Sequence, residues 1–168
     1  MKKSNLFLIP VLLVSTLMLI SSCKKDDDSE TKNPYYGKWQ SRVYSSALAQ
    51  GVLEKMVFDF TNTTFEDKVY QGLSADALQP AAGIKGDIVY TAPATIDAEI
   101  NEISVGGSPY VNKNDDPTTF ATYFALSMGA LLEEEFTATY SFDGDTLVMS
   151  LPVKISDQPI TIRLGKVE

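Results

Sequence analysis

The 168-residue chain has no histidine, a single cysteine (Cys23) and a single tryptophan (Trp39). Without histidine, the side chain most often used as general base and metal ligand is missing. One cysteine cannot form a disulfide within the chain, and Cys/His zinc sets are excluded on the same ground. A serine nucleophile would need lysine or a carboxylate as its base, and no G-x-S-x-G elbow occurs. Basic residues are also scarce: 14 Lys and Arg against 22 Asp and Glu give a formal net charge of −8. Such a surface repels nucleic acid and anionic lipid head groups, so no nucleic-acid partner is expected. Long apolar runs are lacking as well. Leu6 to Ile20 is a stretch of 15 uncharged residues, whereas a membrane span needs about 20.

What is present begins with Met1-Lys2-Lys3, a short basic start that precedes this apolar stretch in the layout of a secretory signal. Ile20-Ser21-Ser22-Cys23 follows and resembles the lipobox of bacterial lipoproteins. The resemblance implies that residues 1–22 are a cleaved signal peptide and that Cys23 is the new N-terminus, lipidated on its thiol and amine. Two or more acyl chains make a stable anchor where one binds marginally. Loss of Lys2 and Lys3 would leave 12 basic and 22 acidic residues, a mature charge of −10. Lys24-Lys25-Asp26-Asp27-Asp28-Ser29-Glu30 is similar to the export tag of surface-exposed lipoproteins in some Gram-negative bacteria, which implies the outer face of the outer membrane. The same charge run also reads as a solvated, disordered tether over residues 23–34. These dozen residues reach at most roughly 40 Å when extended.

Residues 35–168 are 134 positions, enough for one domain with a hydrophobic core, expected as a monomer. Tyr35 to Tyr44 reads as a first strand with Trp39, Ser41 and Val43 on one side. Val52 to Phe60 follows with Met56, Phe58 and Phe60 on its apolar face, then the turn Thr61-Asn62-Thr63 and a returning strand from Phe65 to Tyr70. Leu73 to Gly83 reads as loop or a short helical turn. Ile84 to Thr91 and Thr95 to Val105 are strands around Ala92-Pro93-Ala94. In the second, apolar parity switches from Ile96, Ala98 and Ile100 to Ile103 and Val105, which predicts a bulge or a strand end. Gly106 to Asp116 is loop. Asp116-Pro117 starts a helix, with Phe120, Phe124, Met128, Leu131 and Leu132 at helical spacing as far as Glu135. Glu133, Glu134 and Glu135 would then oppose its dipole. Phe136 to Phe142 and Leu147 to Ile155 form a hairpin about Asp143-Gly144. Pro152 lies on the opposite parity and predicts an edge, bulge or barrel gap. Ile160, Ile162 and Leu164 mark the last strand.

About eight antiparallel strands in one domain of this size must close into a barrel or stack as a sandwich. Gly37-Lys38-Trp39 is similar to the G-x-W signature of lipocalins, and Arg163 stands on the last strand where that family often packs an arginine across the tryptophan. Lys85 to Tyr90 and Thr139 to Leu147 resemble hairpins of bacterial lipocalin-like, calycin-type lipoproteins. The resemblance implies a mainly β fold, an antiparallel eight-stranded barrel, over residues 35–168. The chain departs from lipocalins in placing its helix inside the strand series, where it is expected to lid one mouth of the barrel.

No catalytic, cofactor-binding or metal-binding residue is assigned, and no enzymatic activity is expected. Asp97 and Glu99 share a strand face, which a solvated outer surface explains. Asn112, Asn114, Asp115 and Asp116 carry oxygens suited to Ca²⁺, yet the loop lacks EF-hand spacing, and turn and cap chemistry accounts for them. Asp143-Gly144-Asp145 is likewise a turn. Two readings stay open. In one, a small hydrophobic ligand sits in the barrel, lined by Met56, Phe58, Phe60, Ile88, Tyr90, Tyr140, Phe142 and Met149. In the other, those residues fill a solid core and the protein is an accessory or adhesive subunit that binds another envelope protein.

Overall fold

Alternating apolar side chains give each strand one buried face, and the strands curl until those faces enclose a common core. The computed structural model describes residues 33–168 except 47, 48, 92, 130 and 155. Cys23, the leader and tether through Lys32, and Ile155 lie outside the described residues. Ten strands run in chain order as β1 (Gly37–Ser41), β2 (Tyr44–Ser45), β3 (Leu53–Phe60), β4 (Thr64–Gly72), β5 (Gln79–Thr91), β6 (Thr95–Val105), β7 (Val111–Asn112), β8 (Glu135–Asp143), β9 (Thr146–Val153) and β10 (Ser156–Lys166). One α-helix, α1 (Pro117–Ser127), is inserted between β7 and β8.

Eight of these strands form a closed antiparallel barrel in the order β1-β10-β9-β8-β6-β5-β4-β3, closed by pairing of β1 with β3. The other two, β2 and β7, are short additions paired to β3 and β6. Trp39 stands at the closure, opposite Phe58 on one side and Lys166 on the other. The expected parity switch in β6 is a bulge. Lys85 pairs with Glu102 and Gly86 with Ile100, so Asn101 is the extra residue, and Ile100 and Ile103 both stay buried.

The two barrel ends differ. The β3–β4, β5–β6 and β8–β9 hairpins share one end, and there the interior is filled with rings. Tyr35 is fully buried, edge-on to Phe60 at 5.5 Å and to Tyr140 at 5.3 Å, and the Trp39 indole N–H donates to the Tyr35 carbonyl at 2.7 Å. The opposite end is covered by α1 and the chain that follows it. Asp116 caps the helix through Oδ1, which accepts the Thr119 N–H at 3.0 Å. Phe120 and Phe124 point into the core, and the helix packs against β6 and β7.

Three boundaries depart from the sequence reading. The first strand ends at Ser41 and Val43 is largely exposed, because the buried Ser41 hydroxyl accepts the Met56 N–H at 2.9 Å and the chain bends there into β2. β5 begins at Gln79 rather than Ile84, after a single 3-10 turn at Ala75–Ala77; Pro80 near the strand start costs little pairing. The helix stops at Ser127, short of Glu135. The Met128 and Gly129 N–H groups both bond to the Phe124 carbonyl, and the chain must extend so that the Glu134 carbonyl can accept from Ile100. Glu133 and Glu134 therefore lie beyond the helix and pair with Lys154 and Lys113.

Candidate functional site

The inward faces of β3, β4, β5, β6, β8, β9 and β10 leave a cavity of about 70 Å³ between the aromatic end and the chain after α1. Its wall contains Met56, Phe58, Phe60, Ile88 and Met149, five of the eight residues named from the sequence. The other three stand elsewhere. Tyr90 and Tyr140 belong to the ring cluster around Tyr35, and Phe142, 42 % exposed, packs against Trp39 and Tyr140 at the rim of the closed end. All three share the inward parity of their strands, and Tyr90 and Tyr140 stand opposite the cavity residues Ile96 and Met149, but their rings pack against Tyr35 instead of lining the cavity. Met128, Leu131 and Leu132 close the cavity at its other end, so the turn after the helix, rather than the helix itself, forms the cover.

Trp39 and Gly37 occupy the barrel closure, with Gly37 at φ +112°, a backbone angle that side chains other than glycine's rarely adopt. The expected packing of Arg163 across Trp39 does not occur. Arg163 has outward parity, between the inward Ile162 and Leu164, and its guanidinium pairs with Asp143 on the outer surface. The cation over the indole is Lys166, whose Nζ lies 5.4 Å from the ring centroid. Three residues farther along the strand, Lys166 has the inward parity that Arg163 lacks.

Asp67 was not singled out from the sequence. It sits on β4 opposite Phe58, between the inward-facing Phe65 and Val69, and is the only polar side chain on the cavity wall among the described residues. Its Oδ1 has no hydrogen-bond partner among the described residues. Burial, followed by the neighbouring Glu66 charge, raises its pKa from 3.8 to about 8, against the smaller opposing effect of a backbone hydrogen bond from Lys68. The carboxyl is thus mostly protonated at neutral pH. The signal was in the alternation: Phe65, Asp67 and Val69 share one parity, so a strand with a buried face must bury the acid.

Beside the cavity the barrel wall is parted. β10 pairs with β1 only from Leu164 to Lys166, because the bend at Ser41 carries the chain over to β3. Ile160 to Arg163 consequently pair with β9 alone, and a groove of about 950 Å³ opens between them and Tyr44, Glu54 and Lys55. Met56, Leu131, Ile160 and Ile162 line both the groove and the cavity, so these four side chains are the partition between them. Three of the exposed large apolar residues, Val43, Tyr44 and Ile160, lie in the groove. Its rim carries Arg42, Lys55, Lys166 and the Asp143-paired Arg163 against one carboxylate of its own, Glu54, an excess of positive charge on an acidic chain.

The carboxylates considered for chemistry are occupied elsewhere. Asp97 accepts from Thr91 and Thr137 on the outer face, and Glu99 pairs with Lys113. Asn112 closes a turn on the Asn114 N–H, Asp116 caps α1, and Gly144-Asp145 is a two-residue hairpin turn. No protein-family model and no curated protein matches the chain.

Proposed function

We propose that this protein is a lipid-anchored envelope protein, tethered through Cys23 and facing the cell surface, whose lipocalin-like barrel binds a small apolar ligand. The observation that carries the reading is an apolar cavity separated from an open groove by only four side chains. Unfilled apolar space in a core costs stability in proportion to its volume, and a ligand entering from the groove would recover those contacts. The size of the cavity favours a second reading. About 70 Å³ is below the several hundred Å³ of a usual ligand site, as suits a nearly solid core in an accessory subunit that meets another envelope protein.

Organic extraction of protein purified from membranes, followed by mass spectrometry, separates the two. A carrier should release a stoichiometric small molecule. Recovery of an envelope protein instead, with nothing extractable, would decide for the accessory subunit. The anchor has its own test, in which Cys23→Ser should shift the protein from the membrane pellet to the soluble fraction. Unchanged fractionation would overturn the anchored scheme.

A further inference from the structure

The cavity wall makes a specific demand on whatever fills it. Seventy cubic ångströms is room for several waters, yet a buried water needs two to four polar partners and this wall offers one carboxyl. Water is therefore a poor occupant, and so is a pure hydrocarbon, which would leave Asp67 Oδ1 without a partner. Building on the ligand-binding reading above, we propose that the cavity takes a small uncharged molecule that is apolar except for one hydroxyl, and that Asp67 is its hydrogen-bond partner.

The charge of the ligand follows from what surrounds the carboxyl. Phe58 faces it from β3 and Ile84 from β5, and both line the cavity. Glu66 and Lys68 on its own strand alternate to the other face, where they pair with each other, and Lys85 of β5 joins them there. Glu54 of β3 has inward parity but is held by Ser46 and Gln71. Tyr44 and Tyr110, the phenols within electrostatic reach of Asp67, have pKa values raised chiefly by burial and stay neutral. Among the described residues no cation is left in the cavity to neutralise an anionic ligand, which would also have to shed its water beside an acid. A cationic ligand would have to displace the carboxyl proton and pass a rim bearing four basic residues. A hydroxyl meets neither obstacle. It accepts from the protonated carboxyl and donates to its second oxygen. Hydrocarbon longer than the cavity would run between Met56, Leu131 and Ile160 into the groove, against Val43 and Tyr44.

Calorimetric or NMR titration of the purified protein with 1-hexanol, 1-fluorohexane, hexylamine and hexanoate tests this. The alcohol should bind about tenfold more tightly than its fluoro isostere, because only it satisfies the acid. The preference should vanish in Asp67→Leu, whose affinity for the two compounds should be equal, and persist in Asp67→Asn, whose amide also donates and accepts. Equal affinity of the wild-type protein for 1-hexanol and 1-fluorohexane would overturn the proposal. So would tightest binding of hexylamine, rising with pH between 6 and 8 as the carboxyl gives up its proton. If 1-hexanol and 1-fluorohexane both fail to bind, the ligand-binding reading itself falls with it.

Discussion

Gly86→Ala is expected to cost about 4 kcal/mol or more, a large share of the roughly 5–15 kcal/mol that holds a domain folded. The difficulty is space rather than backbone angle. A methyl group at this position would sit on the backbone carbonyl oxygen of Glu99, far inside van der Waals contact, and 2.9 Å from a ring carbon of Phe65. Neither neighbour can give way. Glu99 is paired on both sides, to Asp87 of β5 and Glu135 of β8, and Phe65 is packed against Phe136 across the core. Gly86 also lies beside the bulge at Asn101, so parting the strands there would disturb the register that keeps Ile100 and Ile103 both inside. Urea unfolding should show the midpoint falling by about 2 M for a slope near 2 kcal/mol per M. Gly165→Ala is the control: its new methyl would meet only the Gln40 carbonyl at 4.0 Å, and the variant should unfold within about 0.5 kcal/mol of wild type. Equal midpoints for the two variants would show that β5 and β6 are not packed this closely at Gly86.

Features written in local pattern were legible in the sequence. Met56, Phe58 and Phe60 alternate without interruption, Asp143-Gly144 falls between two alternating runs, and Asp116-Pro117 marks its helix start, so each needed only neighbouring residues to be read. The closed eight-stranded barrel was expected from strand number and a family resemblance, and it is the fold observed. Contact across the interior was not legible. Parity tells which residues face inward but not which side chains meet there, so Tyr90 and Tyr140, whose rings pack with Tyr35, could not be told apart from their strand partners Ile96 and Met149, which line the cavity. The cation over Trp39 failed for a related reason. Which residue of the last strand meets the indole depends on the pairing of β1 with β10 across the closure, a contact between the two ends of the domain that sets Lys166 rather than Arg163 beside it. The groove depends on a single bend, and its cause is the Ser41 hydroxyl standing in for a backbone acceptor. Nothing in the two-residue period announces such a substitution.

Asp67→Leu should make the protein more stable, by an amount that grows with pH. In the unfolded chain the carboxyl ionises near 3.8, while in the folded barrel it keeps its proton to about pH 8. Between those values the folded state holds one more proton than the unfolded state, so wild-type stability falls as pH rises, by up to 1.36 kcal/mol per unit from this group. The effect is absent below pH 3.8, where both states are protonated, and levels off above pH 8, where both are ionised. Across the window it amounts to about 6 kcal/mol. Leucine removes the titration, and the adjoining cavity has room for the two methyl groups that replace the carboxyl oxygens. Urea midpoints taken from pH 4 to pH 8 should therefore diverge, with the variant ahead throughout and the gap widening by several kcal/mol. Parallel profiles would mean that Asp67 is ionised or solvated in the folded protein, and would remove the uncharged carboxyl on which hydroxyl recognition depends. Divergence would show that the barrel keeps an acid whose burial lowers its own stability at neutral pH. Packing gives no reason to retain it, since leucine would be as well accommodated, whereas a bound hydroxyl would give Oδ1 the partner that the described residues leave out.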